Sequence, residues 1–214
     1  MYLTHLPHLE DLSTHKQRQV ITALAEGVKE GVARLPITLK WDGVAAVVFG
    51  HDAQGFFVAA KGAARPLRSL AACCAHPFVG RQFGVVWECC AGLPPFAPVG
   101  ADILFDGPVE GELTCKPNTL VYHFEQLPAC RLGLAVHTDY KSGQAAPVCD
   151  PISLSPDIWC APTIIKEPRP WSVWQHNEFT RLRGKAMLGR PNALQALKRL
   201  LLSAYLPILE NVHV

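Results

Sequence analysis

The chain of 214 residues is long enough for one large domain or two small ones. Its composition, 49% hydrophobic and 18% charged, allows a sizeable core and excludes general disorder. No apolar run reaches the about 18–20 residues that a membrane span needs, and the N-terminus lacks the basic and apolar segments of a secretory signal. We therefore expect a globular, cytoplasmic protein without a membrane partner.

Positive charge is concentrated near the C-terminus although the net charge is only +2. Eight lysines and arginines accompany two glutamates between Lys166 and Arg199. Such a segment can attract phosphates by Coulomb forces and counterion release, and a solvated helix face is the alternative interpretation.

Eight cysteines are present without a CxxC pattern, which favours reduced thiols over a disulfide framework. A zinc site is the alternative, and its candidate ligands are Cys73, Cys74, His76, Cys89 and Cys90. Adjacent cysteines on a strand point to opposite faces, which argues against one tetrahedral site. The histidines His5, His8 and His15 are predicted to lie on the surface where a helix begins.

The hydrophobic periodicity predicts an N-terminal helix over residues 8–30, which Gly31 ends. A β-hairpin is predicted from residues 44–50 and 56–61, with Gly55 in the turn. A short helix is predicted over residues 67–74 and two C-terminal helices over residues 177–188 and 192–206. Further strands are predicted over residues 35–40, 84–90, 101–105, 112–115, 118–124, 131–138 and 163–165.

This order of elements predicts an α+β fold in a single domain. A mostly antiparallel sheet in residues 35–165 lies between a helical N-terminus, residues 1–34, and a basic helical C-terminus, residues 166–214.

The most informative segment is Lys40-Trp-Asp-Gly43, a KxDG pattern at the end of an apolar strand. An amine at the mouth of a sheet can become a nucleophile when desolvation and nearby cations lower its pKa. Asp42 points to the same side, and Gly43 lets the backbone approach a ligand closely. The alternative is a surface lysine beside a turn.

The Lys40-Trp-Asp-Gly43 segment resembles motif I of the covalent nucleotidyltransferases, which are the ATP-dependent DNA and RNA ligases and the mRNA capping enzymes. A second resemblance, to a ligase-like family of tailed bacteriophages, covers most of the first 140 residues. It is carried by HLPHLEDL (5–12), LKWDGVAAVVFGHDAQGFFVAAKG (39–62), GADILFDG (100–107), CKPNTLVY (115–122) and LGLAVHTDYKSG (132–143).

The resemblance implies that Lys40 attacks the α-phosphate of ATP and holds AMP as a phosphoramide. Asp42 and Gly43 then complete the nucleotide-binding loop, and Lys61 contacts a phosphate. Asp102 corresponds to the motif III acid, which serves the ribose or the metal.

Three further acids and a histidine are also candidate site residues. Val109-Glu-Gly-Glu-Leu113 imitates the ligase form of motif III, so Glu112 is a second candidate for a Mg²⁺ ligand, with an exposed turn at Glu110 and Glu112 as the alternative. Glu88 is expected at a strand end, where it can supply a carboxylate. His137 lies in a strand like motif IIIa, where a structural role is the main expectation.

The sequence has no clear motif IV and no KxK-type motif V. Lys166 is the first candidate for the motif V lysine that holds the nucleotide phosphate, and Lys185 is the second. Because electrostatic stabilisation dominates such transfers, these departures favour an alternative without catalysis.

The leading interpretation is therefore an ATP- and Mg²⁺-dependent ligase-type nucleotidyltransferase of a phage, acting in the cytoplasm of its bacterial host. It passes AMP from Lys40 to the 5′-phosphate end of a DNA or RNA strand. The residues expected to bind nucleic acid are Arg181, Arg183, Lys185 and Arg190. The length leaves no room for an OB-fold clamp, so the basic C-terminus or a protein partner has to replace it. The alternative is a non-catalytic nucleic-acid-binding phage protein on a degenerate ligase fold.

Overall fold

A computed structural model describes residues 13–35, 37–38, 41–162, 164–165, 170–188, 190 and 192–205 of the protein. In these residues the fold is α+β, as predicted, with five helices and antiparallel sheets. No helix in the described part of the chain has the length and apolar character needed to cross a bilayer.

The chain divides into two compact units. The sheet unit spans Thr38–Ile164, and the described part of the helical unit combines residues 13–37 with residues 165–205. The expectation of a single domain stays a prediction.

The sheet unit is built on a six-stranded sheet. Its strands are β2 (Ala45–Asp52), β3 (Gly55–Ala60), β4 (Val99–Phe105), β7 (Leu132–Asp139), β8 (Ala146–Pro147) and β9 (Ile158–Cys160). The order is β3-β2-β4-β7-β8, and β9 also pairs with β7. All pairings of this sheet are antiparallel except the parallel pair of β7 with β9.

The remaining strands form two smaller sheets. β5 (Val109–Cys115) pairs with β6 (Tyr122–Cys130), and β1 (Ile37–Thr38) pairs with β10 (Ile164–Ile165). Strand β6 starts four residues later than predicted and continues past Pro128. A two-stranded sheet tolerates this proline because it has no central strand whose hydrogen bonds need the missing N–H.

The predicted hairpin is confirmed. Val47 pairs with Ala60 and Asp52 with Gly55, whose φ of 101° suits the glycine at the turn.

The strand predicted over residues 84–90 is wrong, because this segment belongs to helix α3 (Gly80–Cys90). Two adjacent valines and a tryptophan suggested a strand, but Phe83, Val86 and Cys90 are completely buried at helical spacing. They pack on one face of the sheet together with strand residues such as Val47, Phe49 and Ile103. Burial on a helical stripe thus outweighs the β-propensity of the valines.

The preceding helix α2 (Leu70–Cys74) lies within the predicted range 67–74. The hydroxyl oxygen of Ser69 accepts a hydrogen bond from the backbone N–H of Ala72 at 3.1 Å and caps its N-terminus.

The helical unit contains α1 (Thr14–Glu30), α4 (Val173–Met187) and α5 (Ala193–Tyr205). Helix α1 ends at Gly31, as predicted, with a left-handed φ of 75°. Helix α4 begins four residues earlier than predicted, because Ser172 and Gln175 form a capping box.

Candidate functional site

The predicted nucleophile Lys40 and the predicted motif V residue Lys166 lie outside the described residues. The three residues after Lys40 are described, and each is held in the sheet unit by a different contact.

Trp41 anchors this loop in an aromatic cluster. Its side chain is buried, and the indole Nε1–H donates a hydrogen bond to the carbonyl of Pro162 at 3.2 Å. The ring centroid lies 5.1 Å from that of Tyr122 and 6.1 Å from that of Phe124. The variable position of the KxDG pattern is therefore a packing residue that fixes the loop.

Asp42 is held through its backbone. Its N–H donates a hydrogen bond to the hydroxyl oxygen of Tyr122 at 2.9 Å. Burial raises the pKa of Tyr122, the hydrogen bond with the Asp42 backbone opposes that rise, and the negative charges of Asp42 and Asp102 add to it.

Gly43 packs directly against the backbone of β4. A Cβ atom at this position would lie 2.5 Å from the carbonyl oxygen of Ile103 and 2.8 Å from the Cβ of Asp102. The next residue, Val44, donates its N–H to the same Ile103 carbonyl at 2.7 Å. Only glycine permits this approach of the loop to Asp102.

Asp102 lies on the face of the sheet opposite α3. In the antiparallel register it pairs with Ala46 on β2 and with Ala135 on β7, so the positions directly beside it carry small side chains. One-fifth of the Asp102 side chain is exposed, and its Oδ2 lies 3.7 Å from Nε2 of His137.

His137 occupies a β-bulge. Ala101 pairs with Val136 and Gly100 with Thr138, so His137 is the extra residue between two ladder positions. Its Nδ1 lies 2.7 Å from the hydroxyl oxygen of Thr138, which is buried. The bulge brings the imidazole of His137 beside the carboxylate of Asp102. A regular strand register would not predict this contact.

The imidazole of His137 is neutral at physiological pH. Burial, and to a smaller extent the positive charge of Lys61, lowers its pKa to about 4. The contact with Asp102 is consequently a contact between a carboxylate and a neutral ring rather than an ion pair.

Lys61 follows the last residue of β3 and is exposed. Ala60, the residue before Lys61, pairs with Val47, and the neighbouring Ala46 pairs with Asp102, so Lys61 ends β3 close to the part of the sheet that carries Asp102. The positive charge of Lys61 acts on His137. The structure thus brings Asp42, Gly43, Lys61, Asp102 and His137 to one region of the sheet unit. This set is called the loop site below.

The remaining predicted acids have other neighbours. Glu112 lies on β5, where its Oε1 is 3.7 Å from Nε2 of His123. Glu88 lies on helix α3, not at a strand end, and pairs with Arg131 at 2.8 Å. Within the described residues, no group of three or more His, Cys, Asp or Glu side chains could hold a metal ion.

The four basic residues predicted to bind nucleic acid belong to the helical unit. Arg181 pairs with Glu178, with Nε 2.7 Å from Oε2. Arg183 lines a cleft, while Lys185, in the last turn of α4, and Arg190 are exposed. Arg181 is therefore partly neutralised, and the charge of Lys185 also acts on Glu178.

A family of unknown function, DUF6267, matches residues 4–64, which include the loop from Trp41 to Gly43 and the hairpin up to Lys61. No curated protein and no solved structure matches the chain.

Two residues of this region were not expected from the sequence to act there. Tyr122 closes the segment CKPNTLVY, whose resemblance marked the segment but gave no role to the tyrosine. Trp41 occupies the position that the KxDG pattern leaves free. Neither residue carries a local signal, because both act through contacts between distant parts of the chain.

Proposed function

We propose that the protein is an ATP-dependent nucleotidyltransferase of the polynucleotide ligase type, with Lys40 as the nucleophile. The observation that supports it best is the loop site, in which Gly43, close behind Lys40 in the sequence, packs against Asp102. His137 lies beside Asp102, and the charge of Lys61 acts on its imidazole. These positions come from four separate segments of the sequence.

In the first step the unprotonated Nζ of Lys40 attacks the α-phosphorus of ATP. A P–N bond forms, the bond to the bridging oxygen breaks, pyrophosphate leaves with the electron pair, and the amine loses a proton. Lys61 is positioned to stabilise negative charge that develops on the phosphates.

In the second step an oxygen of a strand's 5′-phosphate attacks the same phosphorus. The P–N bond breaks, and the lysine amine leaves and is protonated. A 3′-hydroxyl then displaces AMP to join the strands. Asp102 is suited to accept hydrogen bonds from the ribose, and His137, being neutral, adds no charge that competes with Lys61.

The described residues do not form a complete metal site, so Mg²⁺ enters this proposal as the ion that ATP carries on its phosphates. Asp102 can contribute one ligand. The predicted second ligand, Glu112, stays a prediction, because its described neighbour is His123.

The test is to incubate the full chain with α-labelled ATP and Mg²⁺ and to locate the adduct by peptide mass spectrometry. We expect one AMP on Lys40, a P–N linkage that is stable to alkali and released by acid, and no adduct in Lys40→Ala. Lys29→Ala, in the last turn of α1, is the matched control and keeps the adduct. No adduct with ATP, GTP or NAD would contradict the covalent mechanism.

One observation favours the alternative, a non-catalytic nucleic-acid-binding protein on a degenerate ligase fold. Glu88, a candidate carboxylate for the missing motifs, is already paired with Arg131 on the surface. In that case no adduct forms, yet the protein binds a labelled DNA or RNA strand with an affinity that falls as salt rises. Replacing Arg183, Lys185 and Arg190 together by glutamine would then weaken binding at least tenfold. Both functions are compatible with a protein partner that supplies the clamp. Both are also compatible with a phage origin and with action in the bacterial cytoplasm.

A further inference from the structure

The helical unit contains a cleft of about 250 Å³ between α1, α4 and α5. Its floor is apolar and includes Ile21 and Leu197, both buried. Polar side chains from two helices lie at its walls, among them Thr14, Thr22, Arg18 and Arg183. The described residues that line the cleft all belong to the helical unit, and none of them belongs to the loop site.

The charge of the cleft has one sign. Arg18 comes from α1 and Arg183 from α4, and no carboxylate is among the described residues that line the cleft. Arg34 and Arg181, in the same unit, each form an ion pair with a glutamate. No ion pair or hydrogen bond of the Arg18 or Arg183 guanidinium is present in the part of the chain that the structure describes.

This combination selects a class of ligand. Guanidinium groups bind the oxygens of phosphates and carboxylates in a bidentate manner. Two guanidinium groups and two threonine hydroxyls offer more donors than the two oxygens of a carboxylate can accept, whereas a phosphate monoester presents three terminal oxygens. The apolar floor can cover an organic group that inorganic phosphate lacks.

The volume limits the size of the ligand. A cleft of about 250 Å³ offers space for a small organic group and a phosphate.

We infer that the cleft binds a phosphate monoester whose organic group presents an apolar face, such as that of an aromatic ring. Two sources present this chemistry, a free nucleoside monophosphate and the 5′-phosphorylated end of a strand. The inference does not depend on the proposed function of Lys40.

The test is isothermal titration of the full chain with 1-naphthyl phosphate, with inorganic phosphate and 1-naphthoate as comparison ligands. We expect 1-naphthyl phosphate to bind at least tenfold more tightly than either comparison ligand. Arg18→Gln and Arg183→Gln each weaken its binding at least tenfold. Lys29→Gln, which lies on the same helix as Arg18 but does not line the cleft, changes it less than twofold.

Two further titrations distinguish the two sources of the phosphate monoester and separate binding at the cleft from binding at the loop site. AMP and a 5′-phosphorylated tetranucleotide are titrated into Lys40→Ala, and the tighter ligand identifies the source. Because the arginines are exposed, their variants should fold, and circular dichroism verifies it.

Three results would overturn the inference. They are no binding of 1-naphthyl phosphate, binding that neither arginine variant weakens, and equal affinity for 1-naphthoate.

Discussion

The backbone N–H of Asp42 donates a hydrogen bond to the hydroxyl oxygen of Tyr122 at 2.9 Å, across 80 positions of sequence. Trp41 packs on the same tyrosine ring, so one buried side chain of β6 holds both residues that follow Lys40. The position of the loop therefore depends on a strand outside the six-stranded sheet.

Tyr122→Phe is expected to remove the acceptor of this hydrogen bond and to lower the free energy of unfolding by about 1 kcal/mol, because the Asp42 N–H loses its partner. If Lys40 is the nucleophile, the yield of its AMP adduct also falls. Urea denaturation and the adduct assay measure the two effects. The control Glu125→Gln alters an exposed residue of the same strand and should change neither. An unchanged unfolding free energy in Tyr122→Phe would show that the loop does not need this bond.

Gly43→Ala is expected to destabilise the protein by about 1–3 kcal/mol or more, because the new methyl group would overlap the backbone of β4. The rigid partner atoms, 2.5–2.8 Å away, cannot rotate aside. Gly92→Ala is the matched control, since a Cβ at that exposed glycine meets no atom within 4 Å. Thermal unfolding followed by circular dichroism compares the two variants, and equal melting temperatures would contradict the close approach.

His137 is expected to make stability depend on pH. The folded protein protonates this ring only near pH 4, whereas an ordinary histidine does so near 6.5, so the unfolded state binds more protons between these values. Stability therefore falls as the pH is lowered from about 6.5 to about 4, by at most about 3 kcal/mol. Urea midpoints at several pH values test this, and His137→Gln should flatten that part of the profile.

Lys61→Met provides the corresponding test of the charge near the ring. Because burial is the larger cause and Lys61 the smaller, the variant should raise the pKa of His137 only part of the way towards 6.5. An NMR titration of the His137 ring protons measures both proteins. A wild-type midpoint close to 6.5 would contradict the buried environment described for this ring.

The cysteines are expected to differ strongly in reactivity. Cys74 and Cys149 are exposed, whereas burial raises the pKa of Cys73 to about 11 and that of Cys90 further. An aromatic disulfide reagent at pH 8 should therefore modify two thiols rapidly. The double variant Cys74→Ser, Cys149→Ser removes this fast phase, and Cys73→Ala retains it. A fast phase that persists in the double variant would place a reactive thiol elsewhere.

Short sequence patterns were enough to predict the elements that are determined by neighbouring residues. The hairpin follows from alternating apolar residues on both sides of Gly55, and the end of α1 follows from Gly31. Helix α3 could not be predicted in this way, because Val85 and Val86 favour a strand and only the burial of Phe83, Val86 and Cys90 against the sheet selects the helix.

The residues of the candidate site also differ in whether a local pattern could predict them. A four-residue pattern and the resemblance of its neighbours singled out Asp42, Gly43, Lys61 and Asp102. The role of Tyr122 and the bulge at His137 depend on strand register and on contacts between distant segments, which no short pattern specifies. Cys89-Cys90 was expected on a strand but lies at the end of helix α3, whereas Cys73-Cys74 ends helix α2 within the helix predicted there.

The helical unit joins α1, from the beginning of the described chain, to α4 and α5, from its end. During synthesis, α1 leaves the ribosome long before its partners exist, and its buried residue Ile21 must wait for α5. The sheet unit, whose strands are all translated earlier than α4, can fold in the meantime. Ribosome-bound chains that stop before residue 173 should therefore carry a protease-resistant sheet unit and a protease-sensitive α1.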